Sequence, residues 1–175
     1  MQPESFLPVI ADLAVSVAGF TAVIATLRVG QPAPWERHEL IRTIGAVAVC
    51  LVTIICAALP FSIAGFNVNP SLNWAIPLLV SGVSNLVILA WFVRQRLSGD
   101  FPLIVPWISI PIIISLGLLS IASILSGLGL LLPFSSGLLV LQLSWIICVA
   151  AITLVVTFAI TVKNSAKSRE QKETS

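Results

Sequence analysis

The stretch from Thr43 to Ala64, "TIGAVAVCLVTIICAALPFSIA", runs for 22 residues without a charge. An α-helix rises about 1.5 Å per residue, and the hydrocarbon core of a bilayer is about 30 Å thick. About 20 apolar residues therefore suffice to cross it, and a helix satisfies its own backbone hydrogen bonds on the way. Four further stretches meet this length: Phe6 to Leu27, Trp74 to Val93, a segment within Phe101 to Leu132, and Gly137 to Val162. Between them lie "RVGQPAPWERHELIR", "GFNVNPSLN", "RQRLSGD" and "LGLLLPFSS", which carry the Gly, Pro, Asn and Ser content of turns.

Composition points the same way. Hydrophobic residues make up 58% of the chain and charged residues 9%, where a soluble domain carries about 25% charged residues. So few charges cannot coat a water-facing surface of ordinary size. The expected fold class is all-α: an integral membrane bundle of five transmembrane helices. One transmembrane domain would occupy residues 1–163, with spans near 6–27, 43–64, 74–93, 106–126 and 137–162. A polar cytoplasmic tail, 164–175, would follow, frayed or disordered. The leader "MQPESF" has no Lys or Arg, so no cleavable signal peptide is expected.

The fourth stretch is too long for a plain span. Its 32 residues would reach about 48 Å as one helix. Pro102 and Pro106 suggest an interfacial lead-in, with the helix starting near Pro106 or Trp107 and ending near Gly127 or Gly129. Pro111 then falls in the first or second turn, where a missing N–H costs little.

Charge fixes the expected threading. The nine basic residues are Arg28, Arg37, Arg42, Arg94, Arg96, Lys163, Lys167, Arg169 and Lys172. With five crossings, all of them fall in the first loop, the third loop and the C-terminal tail. Basic residues of short loops stay on the cytoplasmic side. The N-terminus is therefore expected outside and the C-terminus in the cytoplasm. Trp35, Trp74, Trp91 and Trp107 lie near span ends, as interfacial aromatics do.

The first span carries the one carboxylate inside an apolar run, Asp12. At about 100° per residue, Ser16, Gly19, Val23 and Thr26 fall within about 40° of it. Ala11, Ala14, Ala18, Ala22 and Ala25 adjoin them, while Leu13, Val17, Phe20, Ile24 and Leu27 lie on the other side. The small and polar face is expected to turn into the bundle, where small residues let backbones approach, and the bulky face to meet lipid. Asn85, within the cluster of Ser81, Gly82 and Ser84 in the third span, should bond across to another helix. The fourth span offers Ser115, Ser120, Ser123 and Ser126, and the fifth Gln142 and Ser144. Gln142 and Asp12 fall at similar depth, so a hydrogen bond between them is an expectation to test. The candidate intramembrane residues, for helix packing or for transport, are thus Asp12, Ser16, Gly19, Asn85 and Gln142.

Other chemistry is poorly supplied. "PWERHELIR" holds the only histidine, His38, beside Glu36 and Glu39, and reads as a solvated helix start with Glu39 able to pair with Arg42. One His and two Glu are too few for a metal site. Cys50, Cys56 and Cys148 all fall in apolar runs and read as small core residues rather than a disulfide framework. No GxSxG or HExxH occurs, so no catalytic residue, metal or cofactor is expected. A net charge of +2 gives no reason to expect nucleic acid.

The pattern "GFTAVIATLR", then a short loop with a Trp, then a second span ending in "LP", resembles small uncharacterised bacterial multi-pass inner-membrane proteins. The resemblance covers about the first 60 residues. It implies a bacterial cytoplasmic membrane and carries no activity with it. The expected partners are the lipid bilayer and either copies of the chain, as a homo-oligomer, or other membrane subunits. The expected role is a structural or interaction subunit; the alternative is an oligomeric ion or small-solute channel or transporter using Asp12 with Asn85 and Gln142.

Overall fold

A computed structural model describes the backbone of residues 3–29, 37–66, 69–97, 106–131 and 136–173. After a 3-10 turn, Pro3–Phe6, come α1 (Leu7–Val29), α2 (Arg37–Ala64), α3 (Pro70–Leu97), α4 (Pro106–Gly127) and α5 (Ser136–Glu173). All five are long and apolar enough to cross a membrane, and no strand occurs among the described residues. The fourth helix begins at Pro106, where the missing N–H of a first-turn proline leaves no bond unmade. One expectation is corrected: the tail does not fray after residue 163 but continues α5 to Glu173.

Local chemistry sets the two described turns. Asn69 caps α3: its Oδ1 accepts from the Ser71 amide at 3.2 Å, and Pro70 follows as the first helical residue. At the end of α4 the Leu130 amide bonds back to the Leu125 carbonyl at 2.8 Å and Gly129 N to Ser126 O at 2.9 Å. That closing pattern needs a left-handed residue, and Gly129 supplies it with φ 74°.

The helices pack in sequence order, α1 on α2, α2 on α3 and α3 on α4, and α5 touches all four. Among the described residues α1 has no contact with α3 or α4, and α2 has none with α4. The core around α5 joins Leu7, Ile10 and Ala14 of α1, Cys50, Cys56 and Ala57 of α2, Leu78 of α3, and Leu139, Leu143, Ile147 and Ala150 of α5. The antiparallel pair α3–α4 approaches closely at Gly82, where a Cβ would lie 2.8 Å from the Ser120 carbonyl oxygen. Lipid tails are as apolar as Leu, so close backbone approach and dispersion contacts supply the attraction between such helices. Phe20, Ile55, Val87, Leu118 and Val155 are exposed, which gives every helix an outward apolar face.

Candidate functional site

The polar residues of the spans divide into three groups, and the first is the reverse of what the sequence suggests. On α1 the buried positions are Leu7, Ile10, Ala14 and Thr21, with Val17 and Ala18 partly buried against the core. At about 100° per residue this face is centred opposite Asp12. Asp12, Ser16 and Gly19 are exposed, as are Val23 and Thr26, and nothing lies within 4 Å of where a Gly19 Cβ would stand. The expected inward face therefore points out. The physical reason lies in its neighbours: Leu7, Leu139 and Leu143 fill the interior beside this end of α1, and a carboxylate buried there would have no partner. Ala14 and Ala18, from the adjoining strip of small residues, make the close contact instead. The Ser16 hydroxyl donates to the Asp12 carbonyl at 2.9 Å, within the helix.

The second group lies inside the bundle. Gln142 is 1% exposed and its Oε1 accepts from the Ser123 hydroxyl, so the amide joins α5 to α4 and not to Asp12. Ser120, Ser123 and Ser126 follow at three-residue spacing on α4, all buried. Asn85 is buried on α3 and donates from Nδ2 to Ser81 Oγ at 3.4 Å, so its direct bond stays within its own helix. Most span hydroxyls satisfy themselves on the carbonyl four residues back, as Thr21, Thr53 and Ser120 do at 2.7–2.9 Å. Ser123 instead spends its proton on another helix. Trp145, not singled out from the sequence, adds a second α4–α5 link through Nε1 to Ser115 Oγ at 3.1 Å.

The third group was expected to be solvated and is not. Glu39 and Arg42, one turn apart at the start of α2, are 2% and 3% exposed. They continue the inward stripe of Ala46, Cys50, Thr53 and Ala57 on the same helix. Reading that stripe backwards by helical spacing would have found them. These two residues of opposite charge thus sit buried one turn apart at the end of the bundle opposite Leu7. Exposed Arg94 lies on the same end.

The side chains of Arg28, Arg37, Arg96, Lys163, Lys167, Arg169 and Lys172 lie outside the described residues, as do those of Trp35, Trp107 and His38. Cys50 and Cys56 are buried free thiols; Cys148 is exposed and not a core residue. Among the described residues, no three His, Cys, Asp or Glu side chains come together. No family model, curated protein or solved structure matches this chain.

Proposed function

We propose that the chain is a small multi-pass subunit of a bacterial cytoplasmic membrane that associates in the plane of the bilayer through α1. The observation that carries this reading is the exposure of Asp12, Ser16 and Gly19 along one stripe inside a span. A carboxylate turned toward acyl chains is costly, on the order of 2.5–3.5 kcal/mol at the bilayer centre and less near the surface. Gly19 lets a second backbone come close there. A second copy is the favoured occupant because it needs nothing from outside the chain. Two parallel α1 helices would set Gly19 against Gly19 and bring each Ser16 hydroxyl within reach of the neighbour's carboxylate. No basic residue occurs between Met1 and Leu27 to serve Asp12 instead.

The N-terminus is read as outside and the C-terminus as cytoplasmic, because all nine cations then share one side. The separation of Asp12 from Asn85 and Gln142, on opposite sides of α1's packing face, favours association over a conducting path lined by all three within one chain. The test is energy transfer between differently labelled copies in liposomes. Transfer that rises with protein-to-lipid ratio and is lost in Gly19→Ile supports the reading; monomers at every ratio overturn it.

A further inference from the structure

We propose that Gln142, with Ser123 beside it, forms an internal binding site for a small neutral hydrogen-bond acceptor, namely a structural water. The argument begins with valence. Gln142 is 1% exposed, and its Oε1 is committed to the Ser123 hydroxyl. Its Nε2 is buried and has no hydrogen-bond partner among the described residues. A primary amide nitrogen only donates, so the open valence asks for an acceptor and repels a cation. Charge then narrows the class. No ionisable side chain other than cysteine occurs in α2 beyond Arg42, in α3 before Arg94, in α4, or in α5 before Lys163. An anion at this depth would have no counter-charge, whereas a neutral molecule needs none.

A buried water holds two to four polar partners. Gln142 supplies a donor, and α4 supplies acceptors for the water's own protons. Ser120, Ser123 and Ser126 lie on the α4 face that carries the Gln142 contact, and all are buried. A hydroxyl that donates elsewhere still offers lone pairs, as Ser120 does while bonded to the Leu116 carbonyl at 2.7 Å. The site thus sits at the α4–α5 contact, independent of the α1 face and of whether α1 binds another copy.

Two measurements test it. In protein labelled with 15N-glutamine and held in lipid nanodiscs, the Gln142 amide signals are identified by their loss in Gln142→Met. Should that variant not fold, substituting Gln2, Gln31, Gln95 and Gln171 identifies them by elimination. Cross-relaxation from these protons to a long-lived water is expected; its absence overturns the proposal. In the second measurement, the double variant Ser123→Ala/Gln142→Met keeps the volume and removes both polar groups. If water completes the amide's bonds, the variant loses them and melts several degrees below the parent. If the amide is simply unpaired, its replacement by Met relieves it, and an equal or higher melting temperature overturns the proposal.

Discussion

Asp12 and Ala14 stand two residues apart on α1 and face opposite ways: Ala14 is fully buried against α2 and α5, and Asp12 is exposed. Two residues along a helix is a turn of about 200°, so one of the pair must leave the bundle when the other enters it. The small side chain goes in because the interior beside it is already filled by Leu7, Leu139 and Leu143. That relationship separates folding from association on a single helix. Ala14→Leu forces extra volume into a packed contact and is expected to destabilise the fold by about 1–3 kcal/mol. Gly19→Leu, on the face with nothing within 4 Å, should leave the melting temperature of the detergent-solubilised monomer unchanged. Thermal unfolding followed by circular dichroism compares the two. A larger loss in Gly19→Leu than in Ala14→Leu would reverse the assignment of the faces.

The carboxylate itself is expected to matter for association and not for folding. Asp12→Ala removes the acceptor that the neighbouring Ser16 would use. Interhelical hydrogen bonds of this kind are worth about 1 kcal/mol each in membranes and the symmetric dimer makes two, so dimerisation should weaken about 30-fold. Asp12→Asn keeps an acceptor and adds a donor, and should dimerise at least as tightly as the parent. Dimer constants from energy transfer in liposomes give the comparison. Equal constants for the parent and Asp12→Ala would remove Asp12 from the interface.

The close crossing of α3 and α4 depends on Gly82. A Cβ there would stand 2.8 Å from the Ser120 carbonyl and 2.7 Å from Ile124 Cγ1. The carbonyl is backbone and cannot turn aside, so the helices must separate. Gly82→Ala is expected to cost about 1–3 kcal/mol despite the better helix propensity of Ala. Because, among the described residues, α4 reaches the rest of the bundle only through α3 and α5, the same change should raise proteolytic nicking around α4. Limited proteolysis with mass spectrometry reads this directly.

The buried Glu39–Arg42 pair predicts a non-additive pattern. Arg42→Met removes the opposite charge one turn from a carboxylate that is 2% exposed and is expected to destabilise the fold by about 1–3 kcal/mol. Glu39→Gln/Arg42→Met removes both charges and should recover most of that loss. A double-mutant cycle on melting in detergent measures the difference. Additive losses would mean that the two groups act independently.

The sequence made the helices legible and the facing only partly so. Runs such as Thr43 to Ala64 admit no other reading, and Pro106 marks the start of α4 because proline at a first turn costs nothing. Gln142 and Asn85 are inside, as amides in hydrocarbon must be. Asp12 was misplaced because the same rule, applied to a carboxylate near a helix end, ignores what fills the interior at that level. Glu39 and Arg42 were misplaced because charges near a loop read as solvated, although they sit in phase with Ala46, Cys50 and Thr53. The Ser123–Gln142 bond joins residues 19 apart on two helices. No periodicity within either helix encodes such a pairing.

The threading makes a prediction independent of any side-chain contact. If all nine cations share the cytoplasmic side, then the turn around Gly65 and Phe66 faces the periplasm and the chain end after Ser175 faces the cytoplasm. Long loops translocate regardless of charge, but the connections here are short enough for the positive-inside bias to hold. A reporter active only in the periplasm should therefore work when inserted after Phe66 and stay silent when fused after Ser175. Activity after both Phe66 and Ser175 would require an even number of crossings between them. It would place Lys163, Lys167, Arg169 and Lys172 outside and leave Arg28, Arg37 and Arg42 to orient the first two spans alone.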